Sequence, residues 1–301
     1  FLFKNTGLRQ TVLKNAFWLF SGQVGGRAMR AIIVIYAARV LGTAGFGIAS
    51  YALSLTGFFL IIADMGISSL LTKHAAQNPD ERERYFATLF ILKCICISAS
   101  FAMILAIGPF VGNIPEAVAL LPLAGLVLVF DSLREFALAM VRAREKMEYE
   151  AALSVITNAA TVTLSFIFLA IHKTPQALLI GYATGSGFGL MLALWALRGY
   201  LKKSVTHFDA TLVRPLASQA FPLAMTAFLG GTLLTVDMLM LGYFRTAAEV
   251  GLYSAVQKII QITYSIAGIA GISLFSTFSR LYATDYAKFK ELFIQSFRLK
   301  N

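Results

Sequence analysis

Arg27 and Arg30 stand three residues apart in an otherwise apolar stretch, and no other pair in the chain carries so clear a chemical signal. At i, i+3 on a helix they share one face. They lie about 13 and 16 residues beyond Lys14, hence roughly 20 Å along a helix axis at 1.5 Å per residue. A charge near a bilayer centre costs about 2.5–3.5 kcal/mol even on the gentlest insertion scale, so the pair is expected to face a watery cavity. Arginine suits an oxyanion there, because its planar fork donates bidentate bonds and keeps its charge. Snorkelling or a structural ion pair is the plainer alternative.

Other charges interrupt apolar runs. Asp131, Arg134 and Glu135 share one helix face by spacing. Buried charges need partners, so Arg134 is expected to bond one or both carboxylates; a role in substrate binding or proton-linked movement is the sharper reading. Asp64 is expected to pair with a basic residue of a neighbouring helix. Asp237 is an isolated charge in an apolar stretch and a candidate for facing a cavity and coupling to a cation or proton, beside the plainer reading of a structural polar contact. Lys93 and Lys258, nearer helix ends, are expected to snorkel. Cys94 and Cys96 sit two apart and point to different faces, which suits packing rather than metal binding. His74, His172 and His207 lack carboxylate partners at metal-ligand spacing and are read as solvated. No nucleophile–base set, paired acids or phosphate-cradling glycine loop is present, so no enzyme, metal or cofactor is expected.

The elements that carry these residues are membrane spans. The chain is 58% hydrophobic and 14% charged, with a mean hydropathy of +0.73. Apolar runs place about eight transmembrane helices near residues 15–38, 46–72, 87–110, 116–141, 151–171, 176–198, 218–243 and 249–275. The fold expected is an all-α polytopic membrane protein. Gly22 and Gly26 in the first helix, and Gly181, Gly185 and Gly189 in the sixth, form small-xxx-small packing faces. Pro222 suggests a bend in the seventh. The net charge of +11 is concentrated before helix 1, after every second helix and at the end of the chain. The positive-inside rule therefore sets both ends in the cytoplasm. Nucleic-acid binding is excluded, since no basic and aromatic-rich folded domain exists to carry it.

The chain also resembles itself at one constant offset. Ala16-Phe17 matches Ala220-Phe221, Leu19 matches Leu223, Gly26 matches Gly230, and Ala44, Gly47 and Ser50 match Ala248, Gly251 and Ser254. This suggests a first lobe over 1–200, a cytoplasmic linker over 201–217 and the start of a repeated lobe over 218–301.

Arg39-Val40-Leu41-Gly42, Phe46-Gly47, Asp64-Met65-Gly66-Ile67 and Glu249-Val250-Gly251-Leu252-Tyr253 resemble motifs of the polysaccharide flippases. Those belong to the multidrug/oligosaccharidyl-lipid/polysaccharide exporter superfamily. The resemblance implies two six-helix lobes in a V, with twelve to fourteen helices in all, so the chain reads as a six-helix first lobe plus the first two helices of the second. It implies flipping of an undecaprenyl-pyrophosphate-linked oligosaccharide across the bacterial inner membrane, with membrane lipids as surroundings and glycosyltransferases or a polymerase of the same pathway as potential partners. Candidate substrate contacts are Arg27, Arg30 and Arg134; candidate coupling or ion-pair residues are Asp64, Asp131, Glu135 and Asp237. Two alternatives stay open: a cation-coupled multidrug and toxin exporter, which an acidic first lobe would suit better, and a flippase for the peptidoglycan precursor lipid. The Asp285–Asn301 tail reads as an amphipathic cytoplasmic linker toward a ninth helix.

Overall fold

The computed structural model describes residues 8–144, 147–204, 208–258 and 260. Regular structure among them is helical: α1 (Leu8–Asp64), α2 (Ile67–Gln77), α3 (Arg82–Ala106), the single turns α4 (Gly108–Val111) and α5 (Pro115–Val118), α6 (Leu121–Ala143), α7 (Met147–Ile171), α8 (Pro175–Ser204) and α9 (Ala210–Phe244). A further helix, α10, covers residues 247–258.

Five of these are long and apolar enough to cross a membrane: Phe20–Asp64 within α1, then α3, α7, Pro175–Arg198 within α8, and α9. The first is 45 residues long, which is room for two passes of about 20 residues each. Gly42 divides it, with φ 67° and ψ 179°, a backbone that only glycine adopts without strain. α6 is as long as a span but carries Asp131, Arg134 and Glu135 within three turns. The chain is a multi-pass membrane protein.

Some boundaries differ from the sequence expectation. The second helix does not run unbroken to residue 72, because Met65 (φ 42°) and Gly66 (φ 74°) turn the chain between α1 and α2. Gly66 is required twice, since a Cβ there would also press within 2.7 Å of Leu223 Cβ on α9. The fourth helix starts at Leu121 rather than 116, after the separate turn of α5. α9 runs through both Pro215 and Pro222 as one helix. The eighth expected helix is seen as α10; its remainder, His207 and the Asp285–Asn301 tail lie outside the described residues.

Small residues set the packing. In lipid, helices associate by close van der Waals contact rather than by burial from water. Gly181, Gly185 and Gly189 of α8 lie against Ser165, Thr161 and Thr157 of α7, so close that a Cβ on any of them would overlap the opposing residue. Gly22 sits on the Ala151 backbone, and Tyr36 stacks on Phe166 with ring centroids 4.0 Å apart, fixing α1 to α7. α9 runs beside the second half of α1, where Gly231 meets Ile61 and Phe58 meets Phe228.

α9 is tied to the preceding helices at both ends. At the basic end, Arg84 Nε donates to Asp209 Oδ2 at 2.8 Å and His74 Nε2 lies 3.1 Å from Gln219 Oε1. His74 also stacks on Tyr85, so it is packed rather than simply solvated. At the opposite end, Asn113 N–H donates to the Gly242 carbonyl at 2.9 Å, and buried Tyr51 wedges between Gly112 and Gly242.

Candidate functional site

α1 delivers both arginines to one exposed face, and α7 meets that face at Asn158. Arg30 Nε donates to Asn158 Oδ1 at 2.6 Å. Gly26, one turn earlier, makes room, because a Cβ there would sit 2.5 Å from Asn158 Nδ2. Arg27 is exposed and has neither hydrogen bond nor ion pair among the described residues. Tyr182 of α8 and Lys258 of α10 lie within electrostatic range of Arg30, and Asp131 within range of Tyr182. The Arg30 head therefore stands against α7, and its terminal nitrogens have no hydrogen-bond partner among the described residues. Asn158 was invisible at the level of sequence: a lone amide in an apolar run has no spacing partner to flag it.

The α6 charges separate into two sets. Arg134 Nε and Nη2 both lie 3.4 Å from Asp131 Oδ1, so this expected pair forms loosely. Glu135 does not join it. It pairs with Arg142, two turns along the same helix, and Arg142 Nε is also 3.0 Å from Glu150 Oε1 on α7. Arg142 reads from the sequence as a loop charge, yet it ends α6 as the bridge between two acids.

Asp64 has the basic neighbour expected of it. Lys93 Nζ lies 2.6 Å from Asp64 Oδ1, and Ser68 donates to the same oxygen. The expectation that Lys93 snorkels is wrong: its side chain is 0% exposed. It sits three turns into α3, where its stem reaches the Asp64 turn before it reaches a membrane surface. A cavity of about 210 Å³ borders Asp64, Lys93, Ser132 and Glu135, with Ala227 of α9 closing one side.

Asp237 on α9 is not isolated either. Tyr253 donates to Oδ2, and Gln257 Nε2 lies 3.0 Å from the same oxygen, joining α9 to α10. The backbone N–H of Met238 donates to Oδ1 at 2.8 Å. Asp237 has no basic partner among the described residues. Cys94 and Cys96 are free thiols, and no cluster of metal-ligating side chains occurs among the described residues.

At the basic end, Asp209 caps α9 by accepting from Thr211 N–H at 2.8 Å and Thr211 Oγ1 at 2.6 Å. Those bonds, with the Arg84 guanidinium, hold the pKa of its carboxyl down to about 2.

This arrangement of apolar, glycine-packed helices interrupted by a few charges defines an all-helical, polytopic membrane fold. A solved structure of the MATE multidrug transporter DinF-BH superposes with a TM-score of 0.64 at 14% identity, over 86% of this chain and 62% of that one. The likeness establishes the fold alone. The chain belongs to the family described as polysaccharide biosynthesis protein, which matches residues 12–282. It is 22% identical over 278 residues to the succinoglycan biosynthesis transport protein ExoT of Rhizobium meliloti (strain 1021), covering 90% of this chain and 54% of that protein. It is 21% identical over 274 residues to the probable low-salt glycan biosynthesis flippase Agl15 of Haloferax volcanii, covering 89% and 55%. The chain thus spans about half the length of the curated relatives it matches.

Proposed function

We propose that this chain is the first lobe (1–200), linker (201–217) and opening of the second lobe (218–301) of a flippase. Its cargo is an undecaprenyl-pyrophosphate-linked oligosaccharide, moved outward across the bacterial inner membrane with both ends of this chain cytoplasmic. The family and the transport and flippase names of two relatives support the class. The observation that supports the substrate chemistry is the exposed Arg27–Arg30 face, which has no ion pair among the described residues. A diphosphate needs permanent cations with free N–H groups, and among the described residues nothing bonds the Nη donors of Arg30. Arg134, loosely held, is a second contact for the head group.

The transport cycle is alternating access: the diphosphate and sugars enter between the lobes, the polyprenyl tail stays in lipid, and rocking exposes the head on the other side. No bond is broken, so the protein is not an enzyme. An inside-negative potential helps an uncompensated anion move outward, by about 2.3 kcal/mol per charge per 100 mV, and the same field draws the emptied, cationic lobe back toward the inside. Asp64 and Glu135 each have a basic partner in an ion pair, and Asp131 has Arg134. Asp237 is left as the carboxylate suited to taking up a coupling cation or proton.

The test is transport of a labelled undecaprenyl-diphosphate oligosaccharide into vesicles holding the full-length protein. Arg27→Ala/Arg30→Ala is expected to abolish transport while leaving folding intact, with Lys at both positions recovering only part. Wild-type transport by the double alanine variant removes the anion role.

A further inference from the structure

We propose that Asn158 is a positioning residue that aims the Arg30 guanidinium at its anion, an inference that rests on the anion-contact reading of Arg30.

Three observations carry it. First, the amide orientation is defined by its own bonds. Asn158 Nδ2 donates to the Ser154 carbonyl one turn back at 2.7 Å, so Oδ1 must face Arg30. Flipping the amide would set donor against donor on the Arg30 side and acceptor against acceptor on the other. Second, the bond uses Nε of Arg30, the inner nitrogen of the fork. An arginine held through Nε keeps its outer Nη1–Nη2 edge free, which is the end-on geometry that grips two oxygens of one phosphate group. Third, the platform under Asn158 is rigid. Its α7 neighbours Thr157 and Thr161 lie in the glycine faces of α8, and their hydroxyls donate into their own helix at 2.7 and 2.9 Å. Gly26 brings α1 close enough for the contact.

A long exposed arginine loses rotamer freedom on gripping a ligand. Asn158 meets part of that loss before the ligand arrives, because only the χ angles that keep Nε on Oδ1 remain available. Lysine has no second nitrogen to be held by one contact while gripping with another, so this device explains a preference for arginine at position 30.

The experiment measures binding of undecaprenyl diphosphate to the full-length protein in nanodiscs, with undecaprenol as the control lacking phosphate. Arg30→Ala, Asn158→Leu and the double variant form one cycle. Asn158→Leu is expected to weaken diphosphate binding about tenfold, the scale of one well-placed hydrogen bond. It should weaken it no further in the Arg30→Ala background, and undecaprenol binding should be unmoved. A residue that merely glues α1 to α7 would act equally in both backgrounds, and that outcome overturns the proposal. If Asn158→Leu does not fold, Gly26→Ala takes its place, since the added methyl displaces the Asn158 amide without removing it. Unchanged affinity in Arg30→Ala sinks the anion reading itself. A loss in Arg30→Ala with parental affinity in Asn158→Leu or Gly26→Ala overturns only the positioning role.

Discussion

Gly47 and Gly251 meet backbone to backbone. A Cβ on Gly47 would overlap the Ala247 carbonyl, and one on Gly251 would overlap the Thr43 carbonyl. The contact is reciprocal, and its partners stand at the offset of the internal resemblance: Gly47 matches Gly251, and Thr43 is offset by the same 204 residues from Ala247. The α1 segment after Gly42 and the start of α10 therefore cross at their glycines. A side chain at either glycine must push the turns apart. Gly47→Val and Gly251→Val are each expected to cost at least about 1–3 kcal/mol. Combined, they should cost less than the sum, because both open one contact. Thermal unfolding in detergent measures all three.

Lys93 is the most deeply buried charge among the described residues, and Asp64 is its one carboxylate. Asp64 is 29% exposed, so part of the pair is screened by solvent. Lys93→Met leaves Asp64 short of its cation, and Asp64→Asn leaves a buried ammonium without its counter-charge. Both are destabilising by up to about 3 kcal/mol, the second more than the first. The double variant Lys93→Met/Asp64→Leu should recover most of the loss, since apolar replacements remove both desolvated groups. Chemical denaturation of the parent and the three variants measures this; a double variant no better than the worse single one would contradict it.

Asp209 ties the start of α9 to α3, and the pKa of its carboxyl is held at about 2, from an ordinary value of 3.8, first by the Thr211 hydroxyl and then by Arg84. A carboxyl lowered on folding stabilises the protein above its unfolded value, and the contribution fades as pH falls from about 4 toward 2. Asp209→Asn should thus lower Tm at neutral pH, with the gap to the parent closing over that acid window. A gap that stays constant from pH 7 to pH 2 would show that the charge is not involved.

Much of the fold is legible in the residues themselves. α3, α7, α8 and α9 are continuous apolar runs, and a bilayer permits such a run little besides a helix. The α7–α8 interface is equally readable, because glycines four apart announce a close approach. What escapes is whatever depends on a partner far along the chain. The Met65–Gly66 break hides within apolar continuity, and only φ at Gly66 and the nearness of α9 reveal it. Lys93 looks like a helix-end lysine until Asp64, 29 residues earlier, is seen beside it. Gly47 and Gly251 can be aligned by eye, but nothing in an alignment says that aligned residues touch. Arg27 and Arg30 stand out because charge in an apolar run is rare; Asn158 does not, since an uncharged amide perturbs hydropathy little.

Arg142 shows how one misplaced charge changes the logic of a cluster. Glu150 is the more enclosed of its two acids, with a side chain 12% exposed against 45% for Glu135, and Glu150 Oε2 has no hydrogen-bond partner among the described residues. Removing Arg142 should therefore be felt mainly through Glu150. Arg142→Met is expected to destabilise by about 3 kcal/mol, the scale for stranding an enclosed charge. Adding Glu150→Gln should return a large part of this, because the stranded charge is gone. Adding Glu135→Gln instead should return little, because water already solvates that carboxylate. Equal rescue by the two substitutions would mean that the acids share Arg142 evenly and that their unequal enclosure is without energetic weight; unfolding midpoints of the parent, Arg142→Met and both double variants decide between the two.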